Sequence, residues 1–281
     1  MKISRIRREK EEYVRRSVKD IVRKRKDLSN NLVHLTRDYK GFNAIENLKS
    51  IISSETIEAR NPDCLWKNEI PDELKSYFNV LSLTETPLTQ IYNLVTIEFR
   101  RRIMLQPYGI IFLKEDLINV GASPVLYLYQ DIQLQLFRKL FEENINTQLD
   151  TNFLNVFNFV KRIHEQEDFH WEREWKRIGS LNFSEIKYDV LVKNEVEAIS
   201  LYEELFLDKK KNVNFYLLDE NEWLYFYHFE EWPLIETKEG IEVEDGFEAF
   251  KVFDEGGEYP ILKIIERKQT NVKVVPRNYF Y

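Results

Sequence analysis

Short strand-like segments alternate with helical segments of very unequal length along this chain, and this alternation limits the folds it can adopt. Apolar runs rich in β-branched and aromatic residues predict strands at 32–36, 79–84, 107–113, 123–129, 171–178 and 186–192. Helical spacing of apolar residues predicts helices at 43–54, 88–104, 132–164 (with a polar interruption around 144–152) and 195–206. Helices of such unequal length favour an α+β fold over a regular βαβ succession, with a mixed sheet core and flanking helices.

The chain divides by composition into three parts. Residues 1–30 predict a basic helical arm, and residues 31–206 predict the main α+β domain, in which Asn43 is expected to cap the helix at 43–54. Residues 207–281 predict a strand-rich extension that either continues the same sheet or forms a small lobe. Only 8 Gly and 8 Pro argue against a turn-rich all-β sandwich.

Several classes of protein are excluded by residues that the chain lacks. The single cysteine, Cys64, cannot build a disulfide framework or a zinc site with several thiolates, and we expect it to be an ordinary buried residue. His164 and His170 have no recognised metal spacing, so no metal is expected. No apolar stretch approaches the roughly 20 residues that cross a bilayer, and the basic first residues lack a following apolar segment, so we expect no secretory signal. These features predict a cytoplasmic protein without a membrane partner.

The sequence also lacks the phosphate-binding P-loop, the dinucleotide glycine fingerprint, the Gly-x-Ser-x-Gly elbow and the His-Glu-x-x-His motif. Their absence disfavours a P-loop hydrolase, a Rossmann dehydrogenase, a hydrolase built on that serine elbow and a zinc protease of that class.

Charge is distributed very unevenly. Residues 1–26 hold twelve Lys or Arg against four Asp or Glu, a net charge of +8, whereas 29 basic and 44 acidic residues give the remainder −15. Two interpretations of the arm stay open: its Ile/Val stripe packs on a protein partner, either a cognate toxin or a second copy, or its arginines bind nucleic-acid phosphates. The arginines concerned are Arg5, Arg7, Arg8, Arg15, Arg16, Arg23 and Arg25.

An ordered series of segments gives the main functional indication. These segments are residues 34–36 (His-Leu-Thr), 81–87, 108–112, 122–127 and 171–176 (Trp-Glu-Arg-Glu-Trp-Lys). In order and spacing they resemble the AbiGi family of bacterial abortive-infection proteins, over roughly residues 34–192. That family is the antitoxin side of a two-gene phage-defence system. The resemblance implies a role in phage defence or toxin control through binding of a partner, and it does not itself imply an enzymatic reaction.

A second similarity implies chemistry. A His-x-Thr strand, an aromatic middle and a late glutamate look like the ADP-ribosyltransferase fold, whose substrate is NAD. By that resemblance, His34 orients the nicotinamide ribose, Thr36 supports the dinucleotide and Glu174 holds the ribose hydroxyl. Tyr108 or Tyr127 would stack on nicotinamide.

The chemistry is physically reasonable, because cleaving the nicotinamide–ribose bond develops positive charge that a carboxylate stabilises. Glu172 and Glu174, two apart on a predicted strand, are expected to point the same way and to raise one another's pKa. Structural interpretations stay open beside it: a hydrogen-bonded strand histidine, and charged cross-strand pairs between tryptophans. Arg173 and Arg177 offer a further alternative, contact with a phosphate.

Three hypotheses follow. The first is an AbiGi-type protein that binds a toxin or another partner. The second is an NAD-consuming transferase that uses His34 and Glu174, and the third is a nucleic-acid-binding regulator that works through the basic arm.

Overall fold

A computed structural model describes residues 28–60, 63–96, 104–147, 151–163, 170–206, 209, 213–228, 247–253 and 261–266. These residues form helices around a mixed sheet, which confirms the predicted α+β class. The predicted arm lies almost entirely outside the described residues, as do all seven of its arginines.

The strands follow one another in chain order. They are β1 (Asn31–Leu35), β2 (Thr56–Ile57), β3 (Val80–Thr84), β4 (Gly109–Leu113), β5 (Ser123–Pro124), β6 (Leu126–Leu128), β7 (Val160–Arg162), β8 (Glu174–Ile178), β9 (Leu181–Asn182), β10 (Tyr188–Val192), β11 (Val213–Leu217), β12 (Glu222–His228), β13 (Phe247–Phe253) and β14 (Ile261–Glu266).

Helices connect the strands on both sides of the sheet. The α-helices are α1 (Ala44–Ser54), α2 (Ile91–Thr96), α3 (Lys114–Asn119), α4 (Asp131–Thr147), α5 (Thr151–Leu154) and α6 (Glu195–Leu205). Short 3₁₀ turns lie at Lys67–Glu69, Asp72–Phe78, Leu88–Gln90, Asn155–Phe159 and His170–Glu172.

Ten of the described strands form one sheet, in the order β14-β13-β12-β11-β10-β4-β1-β3-β8-β5. Its described pairs are antiparallel except β10 with β11. Because β11 to β14 hydrogen-bond onward from β10, the described C-terminal strands continue the main sheet. Two short pairs, β2 with β9 and β6 with β7, lie outside it.

Both faces of the sheet are covered by apolar side chains. On one face, Leu32 and Phe112 pack with Leu48 of α1 and Leu201 of α6. On the other face, the neighbouring strand positions, such as Ile111, pack against α2. A separate aromatic cluster beside α4 contains Trp66, Phe78, Phe141 and Phe157, and the buried Cys64 belongs to it, as predicted.

Helix α1 is determined by local sequence. The Asn43 side chain accepts a hydrogen bond from the Glu46 backbone N–H, and the Glu46 carboxylate accepts one from the Asn43 backbone N–H, 2.8 Å away. This capping box satisfies backbone donors that the first helical turn leaves open, so the predicted cap is confirmed.

Three predicted elements differ in the structure. The helical pattern predicted to resume after the interruption and to run to 164 ends at Leu154, and residues 160–162 form β7, because Val160 is buried and pairs in parallel with β6. The strand predicted at 123–129 splits into β5 and β6 on either side of Val125. Pro124 has no backbone N–H, which suits its position on the edge strand β5 of the main sheet. The strand predicted at 171–178 begins only at Glu174, because residues 170–172 form a 3₁₀ turn.

Candidate functional site on strands β1, β3 and β8

Strand β3 lies between the strands that carry His34 and Glu174. It pairs with β1 through Val33 and Thr84, and with β8 through Thr84 and Glu174. One residue of β3, Ser82, contacts both predicted catalytic side chains. His34 and Glu174 are 140 residues apart in sequence, and the structure places them on the two strands that flank β3.

The Glu174 carboxylate contacts two polar groups of different charge. The exposed Ser82 hydroxyl donates to its Oε1 at 3.1 Å, and the Lys161 ammonium lies 2.6 Å from its Oε2. Tyr127 completes the surroundings, since its hydroxyl accepts a hydrogen bond from the Glu174 backbone N–H at 3.2 Å. The Glu174 side chain is only 9% exposed, so these contacts hold a nearly buried carboxylate.

Lys161 links this carboxylate to a second ion pair. Burial alone would lower the pKa of Lys161, but Glu174 and Asp63 outweigh burial and raise that pKa, so Lys161 stays protonated. Asp63 also pairs with Lys176 at 2.9 Å. Burial tends to raise the pKa of Asp63, yet Lys176 and Lys161 lower it to about 2. Charges thus alternate in the order Glu174, Lys161, Asp63, Lys176.

His34 lies on the opposite face of the sheet from Glu174. Side chains alternate along a strand, and the register places Glu174 on the face of Thr84 and Val33, which leaves His34 on the other. Its Nδ1 is 2.9 Å from the Ser82 carbonyl oxygen. A carbonyl can only accept, so Nδ1 carries the proton. Burial and the nearby positive charge of Arg37 lower the pKa of His34, which keeps the ring neutral at pH 7.

The prediction that Glu172 and Glu174 share a strand is wrong. Glu172 ends the 3₁₀ turn His170–Glu172, and β8 begins at Glu174. Between them Arg173 has φ 49°, in the left-handed region, so the chain bends where continuous extension was predicted. The two carboxylates therefore do not project side by side from one pleated strand.

The three predicted NAD-binding residues lie in different surroundings. Thr36 is buried and its hydroxyl contacts the carbonyl oxygens of Ala44 and Tyr108, which ties β1 to α1 and β4. Tyr108 donates its own hydroxyl to Glu197 of α6 at 2.9 Å. Tyr127 alone of the three contacts Glu174, and burial raises the pKa of Tyr127 to about 12.

Two residues of the site were missed by sequence reasoning. Ser82 lies inside segment 81–87, one of the segments that carry the resemblance, and its place on a predicted strand was the available signal. Lys161 had no signal, because the sequence around it predicted a helix. Arg177, offered as a phosphate contact, instead donates to the carbonyl oxygens of Val120 and Gly179.

The arrangement offers hydrogen-bonding and electrostatic chemistry. A carboxylate, a serine hydroxyl and a tyrosine hydroxyl are groups that bind vicinal hydroxyls, and the carboxylate also stabilises positive charge. Within the described residues no three His, Cys, Asp or Glu side chains are arranged to hold a metal ion.

In comparisons with known proteins, no family model, curated protein or solved structure matches this chain. The AbiGi resemblance and the NAD chemistry therefore stay predictions. No helix in the described part of the chain has the length and apolar character needed to traverse a lipid bilayer.

Proposed function

We propose that this protein acts in phage defence as an AbiGi-type protein and works by binding a cognate protein partner. The observation that supports the proposal is spatial. The segments that carry the resemblance contribute to β1, β3, β4, β5 and β8, five strands that are contiguous in the sheet order β4-β1-β3-β8-β5. The segments that carry the resemblance thus form one contiguous part of the sheet, as a shared structural unit requires, and segment 122–127 also contributes to β6 outside that sheet.

The sequence offers a charged means of reaching a partner. Residues 1–26 carry +8 against −15 for the remainder, and oppositely charged surfaces steer association and fix its orientation. Residues 1–26 are complementary in charge to a toxin with an acidic surface, or to the acidic remainder (residues 27–281) of a second copy of this chain.

Co-expression with the protein encoded by the adjacent gene tests the proposal. The full chain is expected to co-purify with that protein, a variant lacking residues 1–28 is expected to lose it, and Glu174→Gln is expected to retain it. Circular dichroism establishes that the truncated variant is folded. Retention of the partner by the truncated chain would refute the role of the arm, and absence of co-purification by the full chain would refute partner binding.

The salt dependence of the binding affinity distinguishes nucleic-acid binding by the same arm from binding of a protein partner. Phosphate contacts release counterions, so affinity for a DNA or RNA duplex would fall steeply between 50 and 200 mM salt. Tight, salt-insensitive capture of the protein partner together with no retention of either duplex would exclude the regulator hypothesis.

A second candidate function is transfer of ADP-ribose from NAD, with Glu174 as the carboxylate that stabilises positive charge at the ribose. The specific observation in its favour is the pairing of that carboxylate with the exposed Ser82 hydroxyl at 3.1 Å. This pair combines a group that stabilises an oxocarbenium-like transition state with one that hydrogen-bonds a sugar. His34 lies on the opposite face of the sheet, so in this scheme it would hold the Ser82 backbone through the carbonyl oxygen and would not itself contact the ribose.

Incubation with labelled NAD tests this candidate, with bacterial lysate and nucleic acid as acceptors. Glu174→Gln keeps the shape and the hydrogen-bond acceptor but removes the charge. Glu58→Gln is the matched control, because Glu58 is an exposed glutamate paired with Arg60. Label transfer by wild type and Glu58→Gln, and its loss in Glu174→Gln, would support the transferase. No transfer by any of the three would refute it.

A further inference from the structure

Residues 84–86 hold the backbone immediately before Glu174. The Thr84 hydroxyl donates to the Glu172 carbonyl oxygen at 2.5 Å, and the Thr86 hydroxyl lies 3.3 Å from the same oxygen. The Glu85 backbone N–H donates to the Arg173 carbonyl oxygen at 3.0 Å. All three residues of this segment thus bind consecutive carbonyls of the chain that leads into β8.

The Glu85 carboxylate adds side-chain contacts from the same position. Its Oε2 accepts from the Trp175 indole Nε1 at 2.9 Å, and its Oε1 accepts from Lys114 at 2.8 Å. The Arg173 guanidinium lies 3.9 Å from that Oε1. Since the Glu85 side chain is only 13% exposed, these contacts are shielded from water. Glu85 therefore contacts Arg173 and Trp175, the residues on either side of Glu174.

The backbone between Glu172 and Glu174 would not adopt its bend unaided. Arg173 has φ 49°, a conformation that residues with a Cβ rarely adopt and that persists where surrounding contacts over-determine it. Because of this bend, β8 begins at Glu174, whose side chain lies on the same face of the sheet as that of Ser82. Glu172 belongs to the preceding 3₁₀ turn.

We propose that Glu85, with Thr84 and Thr86, positions the Glu174 carboxylate by holding Arg173 in the left-handed conformation. The functional consequence rests on the second candidate function, in which Glu174 acts on the ribose of NAD. Glu85 contacts no substrate in this scheme and acts only through the backbone of Glu174 and its neighbours.

Kinetics with labelled NAD provide the first test. Glu85→Ala is expected to lower kcat about 10²-fold with little change in KM, because a displacement of about 1 Å at a reacting group costs that much. Glu85→Gln, which keeps an acceptor for the Trp175 indole, is expected to lose less. A change in KM alone would overturn the proposal.

Rescue separates positioning from general destabilisation. Glycine adopts positive φ without a Cβ penalty, so Arg173→Gly in the Glu85→Ala background is expected to restore much of the lost kcat. Glu55→Gly is the matched control, because Glu55 also has positive φ, at 47°, but is the C-cap of helix α1. Equal rescue by both glycines, or rescue by neither, would overturn the proposal.

A spectroscopic test does not depend on activity. Glu85→Ala is expected to shift the NMR signals of the Trp175 indole N–H and of the Glu174 side-chain carboxyl carbon, assigned with Glu174→Gln. Glu58→Ala is expected to leave both in place. If wild type transfers no label, the transferase candidate fails, and these signals still decide the positioning role. Unchanged signals in Glu85→Ala would refute the role of Glu85.

Discussion

Replacement of Lys176 by methionine tests whether the chain of alternating charges stabilises the fold. Lys176 is 0% exposed, and its ammonium donates to the carbonyl oxygens of Asp63 and Asn158, each at 2.8 Å. It also lies 2.9 Å from the Asp63 carboxylate. Methionine fills a similar volume and keeps most of the apolar packing, so the substitution removes mainly the ammonium.

The expected loss of stability follows from the polar groups that lose the Lys176 ammonium as a partner. Two carbonyl oxygens lose their donor, and each unsatisfied buried group costs about 1–3 kcal/mol. The Asp63 carboxylate contributes less, because its side chain is 40% exposed and Lys161 remains 3.6 Å away. The sum for the two carbonyls, about 2–6 kcal/mol, brackets the roughly 3–5 kcal/mol that breaking a buried ion pair typically costs. We therefore expect the free energy of unfolding to fall by about 3–5 kcal/mol.

Urea unfolding followed by circular dichroism measures this loss. At a slope of about 2–3 kcal/mol per molar urea, the midpoint is expected to fall by roughly 1–2.5 M. Lys139→Met is the matched control, since Lys139 is exposed on α4, and it is expected to change stability by less than about 0.5 kcal/mol. A loss below about 1 kcal/mol for Lys176→Met would refute the reasoning, because the two carbonyls would then have found other partners.

Three further predictions concern titratable groups. The pKa of Asp63, lowered from 3.8 to about 2 by Lys176 and Lys161 against the effect of burial, adds stability above pH 4 that is lost as pH falls toward 2. Unfolding of Asp63→Asn is therefore expected to depend less on pH in that window, and an unchanged profile would contradict this. Burial raises the pKa of Asp189 from 3.8 to about 6, so stability falls as pH rises between those values. Asp189→Asn is expected to gain about 1–3 kcal/mol at pH 7 and little at pH 4, and a loss at pH 7 would refute the assignment. Burial also raises the pKa of Cys64 to about 11, so a thiol reagent at pH 8 is expected to label the folded protein roughly 10²-fold more slowly than the urea-unfolded chain. Equal labelling rates would show that Cys64 is accessible.

Much of the secondary structure could be predicted because its causes are local. Helix α1 follows from Asn43, from Glu46 three residues later and from apolar residues on one face, all within a few turns of chain. Strands β3, β4 and β10 follow from short apolar runs. The α+β class follows from their alternation with helices of unequal length.

The candidate site was predicted in part. His34 and Glu174 were chosen on a resemblance, and they do lie on the two strands that flank β3. Their placement on opposite faces could not be predicted, since it depends on which residues of β1, β3 and β8 pair. The contribution of Lys161 was equally hidden, because Val160–Arg162 becomes a strand only by pairing with Leu126–Leu128.

The sequence by itself determined helices α1 and α6, strands β3, β4 and β10, the buried cysteine and the charge difference between residues 1–26 and the remainder. Spacing, capping and composition act over a few residues and can be read along the chain. Tertiary structure alone decided the sheet order, the bend at Arg173 and the contacts of Glu174 with Ser82 and Lys161. These depend on hydrogen bonds and ion pairs between residues far apart in sequence, such as Glu85 with Trp175, and only the folded chain brings such groups together.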